Sequence, residues 1–187
     1  MRSLVCILPL LTCAQLWAQP QTLIEWNFDT PGDTEGWVAA NHISDLQAAD
    51  GALQGRVMDW DPFARAPQFE IAATPWQRIE LRLKTDLGGD GEVFWTNTTE
   101  SPYGGFSPGK ETHFQVIGDG RWHEYQIFPF WHKEGKIILL RLDLPRPAAE
   151  DHGKKTFALD WIRVVDLGTP RERTTDPTWD FTEGLHG

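Results

Sequence analysis

Arg78-Ile79-Glu80-Leu81-Arg82-Leu83-Lys84 puts three aliphatic side chains on one face of an extended segment and four charges on the other. Wound as a helix, the same residues would scatter charge around the whole circumference. The period of two belongs to a strand with one dry face and one wet face. Alternation of this kind recurs in both directions. On the N-terminal side, residues 23–28 and 53–57 read as strands. On the C-terminal side, so do 91–97, 113–117, 122–128, 136–144 and 156–165. Leu87-Gly88-Gly89-Asp90-Gly91 marks a turn, and Gly118-Asp119-Gly120 between two strands predicts a hairpin. No long helical stripe interrupts the series. Short strands parted by Gly, Pro and Asp turns predict an all-β fold, an antiparallel β-sandwich of jelly-roll type, with its strands spanning residues 23–167.

The flanks read differently. Arg2 followed by the apolar run 4–16 and the small residue Ala18 predicts a signal peptide over residues 1–18, the run being too short to span a bilayer. The alternative is a lipoprotein-type site at Leu10-Leu11-Thr12-Cys13, with Cys13 lipidated. Either reading predicts a secreted or periplasmic chain. Both cysteines, Cys6 and Cys13, lie in this segment, so the mature module of residues 19–167 has no disulfide to hold it. Residues 168–178 read as a linker. Near the start the chain has Trp26-Asn27-Phe28 and then Glu35-Gly36-Trp37. Near the end it has Trp179-Asp180-Phe181 and then Glu183-Gly184. Residues 179–187 therefore read as the start of a truncated second module, loosely attached here.

The 17 basic and 27 acidic residues give a net charge of −10, and loss of Arg2 with the signal peptide takes this to −11. That charge argues against nucleic acid and anionic membrane surfaces as partners. Nine of the ten tryptophans lie after residue 18. Trp26, Phe28, Trp37, Trp122 and Trp161 sit on or beside strands and read as core. Five scattered histidines, His42, His113, His123, His132 and His152, show no metal-ligand spacing, which argues against a zinc site.

Read in order, Trp26-Asn27-Phe28, Glu35-Gly36-Trp37, Asp50-Gly51-Ala52-Leu53, Asp61-Pro62, Arg82, Phe94-Trp95, Phe114, Asp119-Gly120-Arg121-Trp122-His123-Glu124-Tyr125, Leu140-Arg141-Leu142-Asp143 and Leu159-Asp160-Trp161-Ile162 form a series. That series resembles the carbohydrate-binding-module-like jelly rolls of the galactose-binding-like type found in secreted bacterial proteins. The resemblance covers residues 23–167. It implies a β-sandwich and a polysaccharide or glycan partner. It also implies a catalytic domain elsewhere in the same polypeptide or gene neighbourhood. Leu144 followed by Pro145-Arg146-Pro147 departs from the pattern, where Pro would directly follow the Asp.

Sugars are held by aromatic faces stacked on ring C–H groups and by charged or amide side chains bonding hydroxyls. Arg82 is on the wet face of its strand. Arg141 and Asp143 are two apart and share a face, as do Trp95 and Asn97. Neighbouring strands would make these a polar patch with an aromatic floor. The same Arg–Asp pair serves equally as a structural ion pair, and Trp95 equally reads as core. Loops add Trp60 and Asp61 in Asp59-Trp60-Asp61-Pro62-Phe63, and Tyr103 and Phe106 in a Gly-rich segment. Phe128-Pro129-Phe130-Trp131-His132 cannot all face inward.

By the resemblance, a structural calcium would sit where the terminal strands meet, with Asp160 and Glu25 or Asn27 as oxygen ligands. Otherwise Asp160 caps or pairs with a nearby Arg. An enzyme reading finds no nucleophile elbow and no phosphate loop. A polysaccharide lyase would have Tyr125, His123 and Arg82 to draw on, and a glycosidase any of many carboxylates. The expected function is non-catalytic binding of extracellular polysaccharide, accessory to a carbohydrate-active enzyme. The alternative is a protein–protein scaffold or adhesion module.

Overall fold

A computed structural model describes residues 19–100 and 102–170. The expected signal peptide, the second-copy motif and most of the expected linker lie outside those residues. Thirteen strands follow in order: β1 (Gln21–Trp26), β2 (Val38–Asn41), β3 (Ile43–Ala49), β4 (Ala52–Val57), β5 (Phe63–Arg65), β6 (Ile71–Ala72), β7 (Gln77–Thr85), β8 (Gly89–Thr96), β9 (Glu111–Val116), β10 (Trp122–Ile127), β11 (Lys136–Ile137), β12 (Leu139–Asp143) and β13 (Lys155–Asp166). Two short 3₁₀ turns are the only helical elements among the described residues.

The strands form an antiparallel sandwich. One sheet runs β10-β7-β13-β4-β3, with β1 also on β13; the facing sheet runs β2-β5-β12-β8-β9. A two-stranded piece, β6 with β11, is the third sheet. β13 is the spine of the first sheet. β7 pairs along most of one edge, while β4 and β1 share the other edge end to end. The expected meeting of the first and last strands is therefore present.

Ile79, Leu81 and Leu83 of β7 point into the sandwich, as the opening heptad requires, and meet Leu140 and Leu142 of β12 in one buried cluster. Hydrophobic burial of this interface is the main favourable term for the fold. The tryptophans divide. Trp26, Phe28, Trp37, Trp95 and Trp131 are core; Trp122 and Trp161 are only half-buried on the outer face of the first sheet, beneath Arg82 and Arg163 respectively. The expectation that Trp122 and Trp161 are core is thus corrected. Trp131 is fully buried whereas Phe128 and Phe130 just before it are exposed, so that aromatic run does split between core and surface. The buried indole of Trp131 donates to Gln77 Oε1 at 2.8 Å.

The Trp-x-Phe and Glu-Gly-Trp motif is a latch. The Glu35 carboxylate accepts hydrogen bonds from the backbone N–H groups of Asn27 and Phe28, at 3.2 and 2.9 Å. Trp26 and Trp37 then meet edge to face at 5.6 Å. Gly36 follows at φ +81°, against Pro67, where a side chain has neither the dihedral nor the room.

The expected hairpin across Gly118-Asp119-Gly120 does not form. β9 pairs β8 in one sheet and β10 pairs β7 in the other, so this loop crosses between sheets. It does so by passing over Gly88. A Cβ on Gly118 would stand 2.1 Å from the Gly88 nitrogen. Gly118→Ala should therefore cost about 1–3 kcal/mol of stability through overpacking. Urea unfolding checks this, and an unchanged midpoint would show that the crossing tolerates a side chain.

Candidate functional site

β12 runs through the middle of the five-stranded sheet, so its alternation sets the outer surface there. Leu140 and Leu142 point inward, leaving Leu139, Arg141 and Asp143 outward. These three see increasingly polar surroundings along the strand. Leu139 is covered by Phe106, which with Ile138 and Phe94 forms a small dry cluster. The Arg141 guanidinium lies between the rings of Phe63 and Phe94, 4.0 and 4.1 Å from their centroids. Its fork is filled by Asp143, with Arg141 Nε donating to Oδ1 at 2.7 Å and the second bond going to Oδ2. Asp143 then opens into a cleft of about 320 Å³, also lined by Trp60, Asp61, Asp90, Glu92 and Arg146.

The cleft's far wall is the turn between β4 and β5. Asn41 Nδ2 donates to the backbone oxygen of Asp61 at 2.6 Å, and Leu144 N–H donates to Pro62 O at 2.9 Å. Both bonds hold the turn against neighbouring strands. Trp60 is left 53% exposed, with the Arg146 guanidinium 5.9 Å from its ring. An aromatic face beside several carboxylate acceptors suits a polar ligand with an apolar ring face.

Burial pushes the Asp143 carboxyl up to about 6, opposed by the Arg141 pair and reinforced by Asp61 and Glu92. Desolvation also raises the Glu92 carboxyl, with His113 opposing and Asp90 and Glu111 adding.

The structure thus brings Trp60, Asp61, Asp143 and, behind them, Arg141 together. It separates the rest. Arg82 is on β7 in the opposite sheet, bonded to Asp160. Trp95 faces the core, edge-on to Trp131 at 5.9 Å; the residue that shares Arg141's face is Phe94, its cross-strand partner. Phe106 is buried at 5% and so packs rather than projecting, whereas Tyr103 is 81% exposed. Sequence reading missed Phe63, Phe94, Glu92, Asp90 and Arg146. Phe94 and Glu92 were legible as the period-two companions of one another, had the strand's parity been known.

At the expected calcium position the two carboxylates each face an arginine. Asp160 bonds Arg82, and Glu25 faces Arg163 at 3.3 Å. Both carboxylates already have a guanidinium counter-charge, which a dication would have to displace. The lyase set is only partly gathered: the His123 and Tyr125 rings are 6.4 Å apart, but the Tyr125 hydroxyl accepts from Ile117 N–H at 3.0 Å and Arg82 is on the opposite, outer face of the sheet. Among the described residues no helix is long and apolar enough to cross a membrane.

No protein-family model matches the chain, and no curated protein matches it. Solved structures share its fold. One is a CBM4 carbohydrate-binding module, with TM-score 0.54 and 13% identity over 75% of this chain and 96% of that one. A second is a cleaved adhesin domain of Lys-gingipain from Porphyromonas gingivalis, with TM-score 0.52 and 8% identity over 77% and 98%. A third is a family 29 carbohydrate-binding module, with TM-score 0.50 and 6% identity over 78% and 85%. The fold is the expected jelly roll of carbohydrate-binding-module type. At these identities it does not decide what is bound, and the adhesin domain illustrates that.

The Asp143 shift has a measurable sign. Its carboxyl holds a proton up to about 6 in the fold, against 3.8 as the ordinary value, so the folded state binds more protons between those limits. The stability this group contributes therefore rises as pH falls from about 6 to about 4 and is flat above that window. Asp143→Asn removes the slope. The stability difference between wild type and variant, from urea unfolding, should move toward wild type on acidification. A difference constant across the window would mean that Asp143 is not shifted.

Proposed function

We propose that this module binds an extracellular polysaccharide non-catalytically, in the cleft between Trp60 and Asp143, as an accessory to a carbohydrate-active enzyme. One observation carries the reading. Trp60 is a large, exposed aromatic held by a pinned turn over a cleft whose other walls are polar. A sugar ring presents the complementary surface, with C–H groups on its face and hydroxyls at its edge. The cleft is at the small end for ligand sites. It offers one stacking ring rather than a row, so it suits a short stretch or an end of a glycan. Arg141 supports the site by holding Asp143; both of its faces and its fork are occupied.

Charge narrows the ligand. Asp61, Asp90, Glu92 and Asp143 outnumber Arg146 in the cleft. Sulfated and uronic glycans would be repelled, so neutral glycans are favoured. The similarity in fold to carbohydrate-binding modules supports this class of partner.

A protein-contact reading has its own observation. Trp76, Phe128 and Phe130 are exposed, and they flank the paired ends of β7 and β10. They lie outside the cleft, so this surface and the glycan site are separable.

A glycan array followed by calorimetry tests the reading. Trp60→Ala should weaken binding of a retained neutral oligosaccharide by about 1–2 kcal/mol, roughly tenfold. Arg82→Ala, on the opposite sheet, should leave it unchanged. Retention of no glycan would displace this reading in favour of the adhesion module, and loss of affinity in Arg82→Ala but not Trp60→Ala would move the glycan site to the six-stranded sheet.

A further inference from the structure

We infer that Asp90, Glu92 and His113 form a binding site for a divalent metal ion of the zinc type, on the paired strands β8 and β9. His113 is distant in sequence from Asp90 and Glu92, and strand pairing brings it to them. Asp90 and Glu92 are two apart on β8, hence on one face, and His113 is the direct cross-strand partner of Glu92. His113 Nδ1 lies 2.8 Å from Asp90 Oδ2 and 3.3 Å from Glu92 Oε1. The three ligand atoms all lie within 4.8 Å of one another.

Charge and donor type then choose the ion. Two carboxylates with one neutral imidazole carry two negative charges, which a dication balances. An imidazole nitrogen with carboxylate oxygens suits zinc and its neighbours rather than calcium or magnesium, which prefer all-oxygen shells. Three protein ligands leave at least one coordination position open, the pattern of an accessible rather than a purely structural site. Asp90 and Glu92 also line the cleft. The open position is therefore within reach of whatever enters there.

Two further observations point the same way. The ion-pair partner of Asp90 and Glu92 is His113, whose single charge when protonated leaves the three groups net negative. Among the described residues no Lys or Arg forms an ion pair with Asp90 or Glu92. Beside them, Glu111 Oε2 is buried with no hydrogen-bond partner among the described residues. Glu111 is two residues before His113 on β9, and its charge acts on both His113 and Glu92. Its charge adds to the negative field at the three residues, which a cation there would offset. The ligands sit on hydrogen-bonded strands rather than on a loop, so little ordering accompanies binding.

The test uses the purified chain, stripped of metal, and Zn²⁺ alone. Calorimetric titration should show binding of about one equivalent, with affinity falling at least about tenfold in His113→Ala and in Glu92→Gln. His132→Ala, an exposed histidine outside the cluster, should bind as wild type does. Zinc should also raise the melting temperature of wild type and not that of His113→Ala, which reads the site even if a variant is less stable. Titration with Co²⁺ should give visible absorption from a low-coordinate site in wild type alone. Zinc binding that persists in His113→Ala, or wild type without a saturable equivalent, overturns the assignment. Neither result touches the glycan reading, which is measured without metal.

Discussion

Burial of Leu140 and Leu142 fixes the outer surface of the five-stranded sheet. β12 is paired on both edges, so it cannot rotate or slip without losing two ladders and both core contacts. A slip of one residue would carry Arg141 and Asp143 into the sandwich and expose the leucines. Once that register is held, every outward group on β12 has its place. Leu139 meets the loop residue Phe106, Arg141 enters the Phe63–Phe94 slot, and Asp143 reaches the cleft. The neighbouring strands inherit the constraint. Glu92 is opposite Asp143 because Val93 is opposite Leu142.

Arg141 and Asp143 are unusual in that both are largely withdrawn from water. Desolvating two charges is expensive, and their attraction offsets it only with good geometry and few unmet donors. The bidentate fork supplies the geometry, and the two phenylalanine faces stabilise the guanidinium through cation–π contact. Truncating either partner would leave the other charge buried alone. The pair is better understood as a device that holds one carboxylate at the cleft edge than as a source of net stability.

The two outer faces differ in how their charge is satisfied. On the six-stranded sheet the charges close on one another: Arg82 with Asp160, Arg78 with Glu80, and Arg163 with Glu80 and Glu25. Trp122 and Trp161 lie under guanidinium groups there, so their faces are occupied. At the Asp143 end of the other sheet, acids gather with few cations, and Trp60 stays 53% exposed with Arg146 standing farther from its ring, at 5.9 Å. Such a face presents acceptors to a ligand that brings hydroxyls or a metal ion, while the arginines of β7 and β13 on the first face are already paired. This asymmetry, more than the fold, separates the candidate site from the rest of the surface.

Alternation of hydrophobic and charged residues was enough to read the strand class, the inward residues of β7 and the pairing of Arg141 with Asp143 on one side of a strand. These are local properties, because period two relates a residue only to its near neighbours. Short strands such as β2, β5 and β6 were not legible, since a few residues carry little periodicity. Tertiary structure alone decided which strands met. It sent the Gly118 loop across the sandwich instead of into a hairpin, put Arg82 on the far sheet, and turned Trp95 inward in favour of Phe94. It also buried Phe106, spent Asp160 on Arg82, and brought His113 beside Asp90 and Glu92. Each of these depends on register between segments far apart in the chain. Such registers are set by which apolar faces can be buried together, and no window along the sequence contains that information.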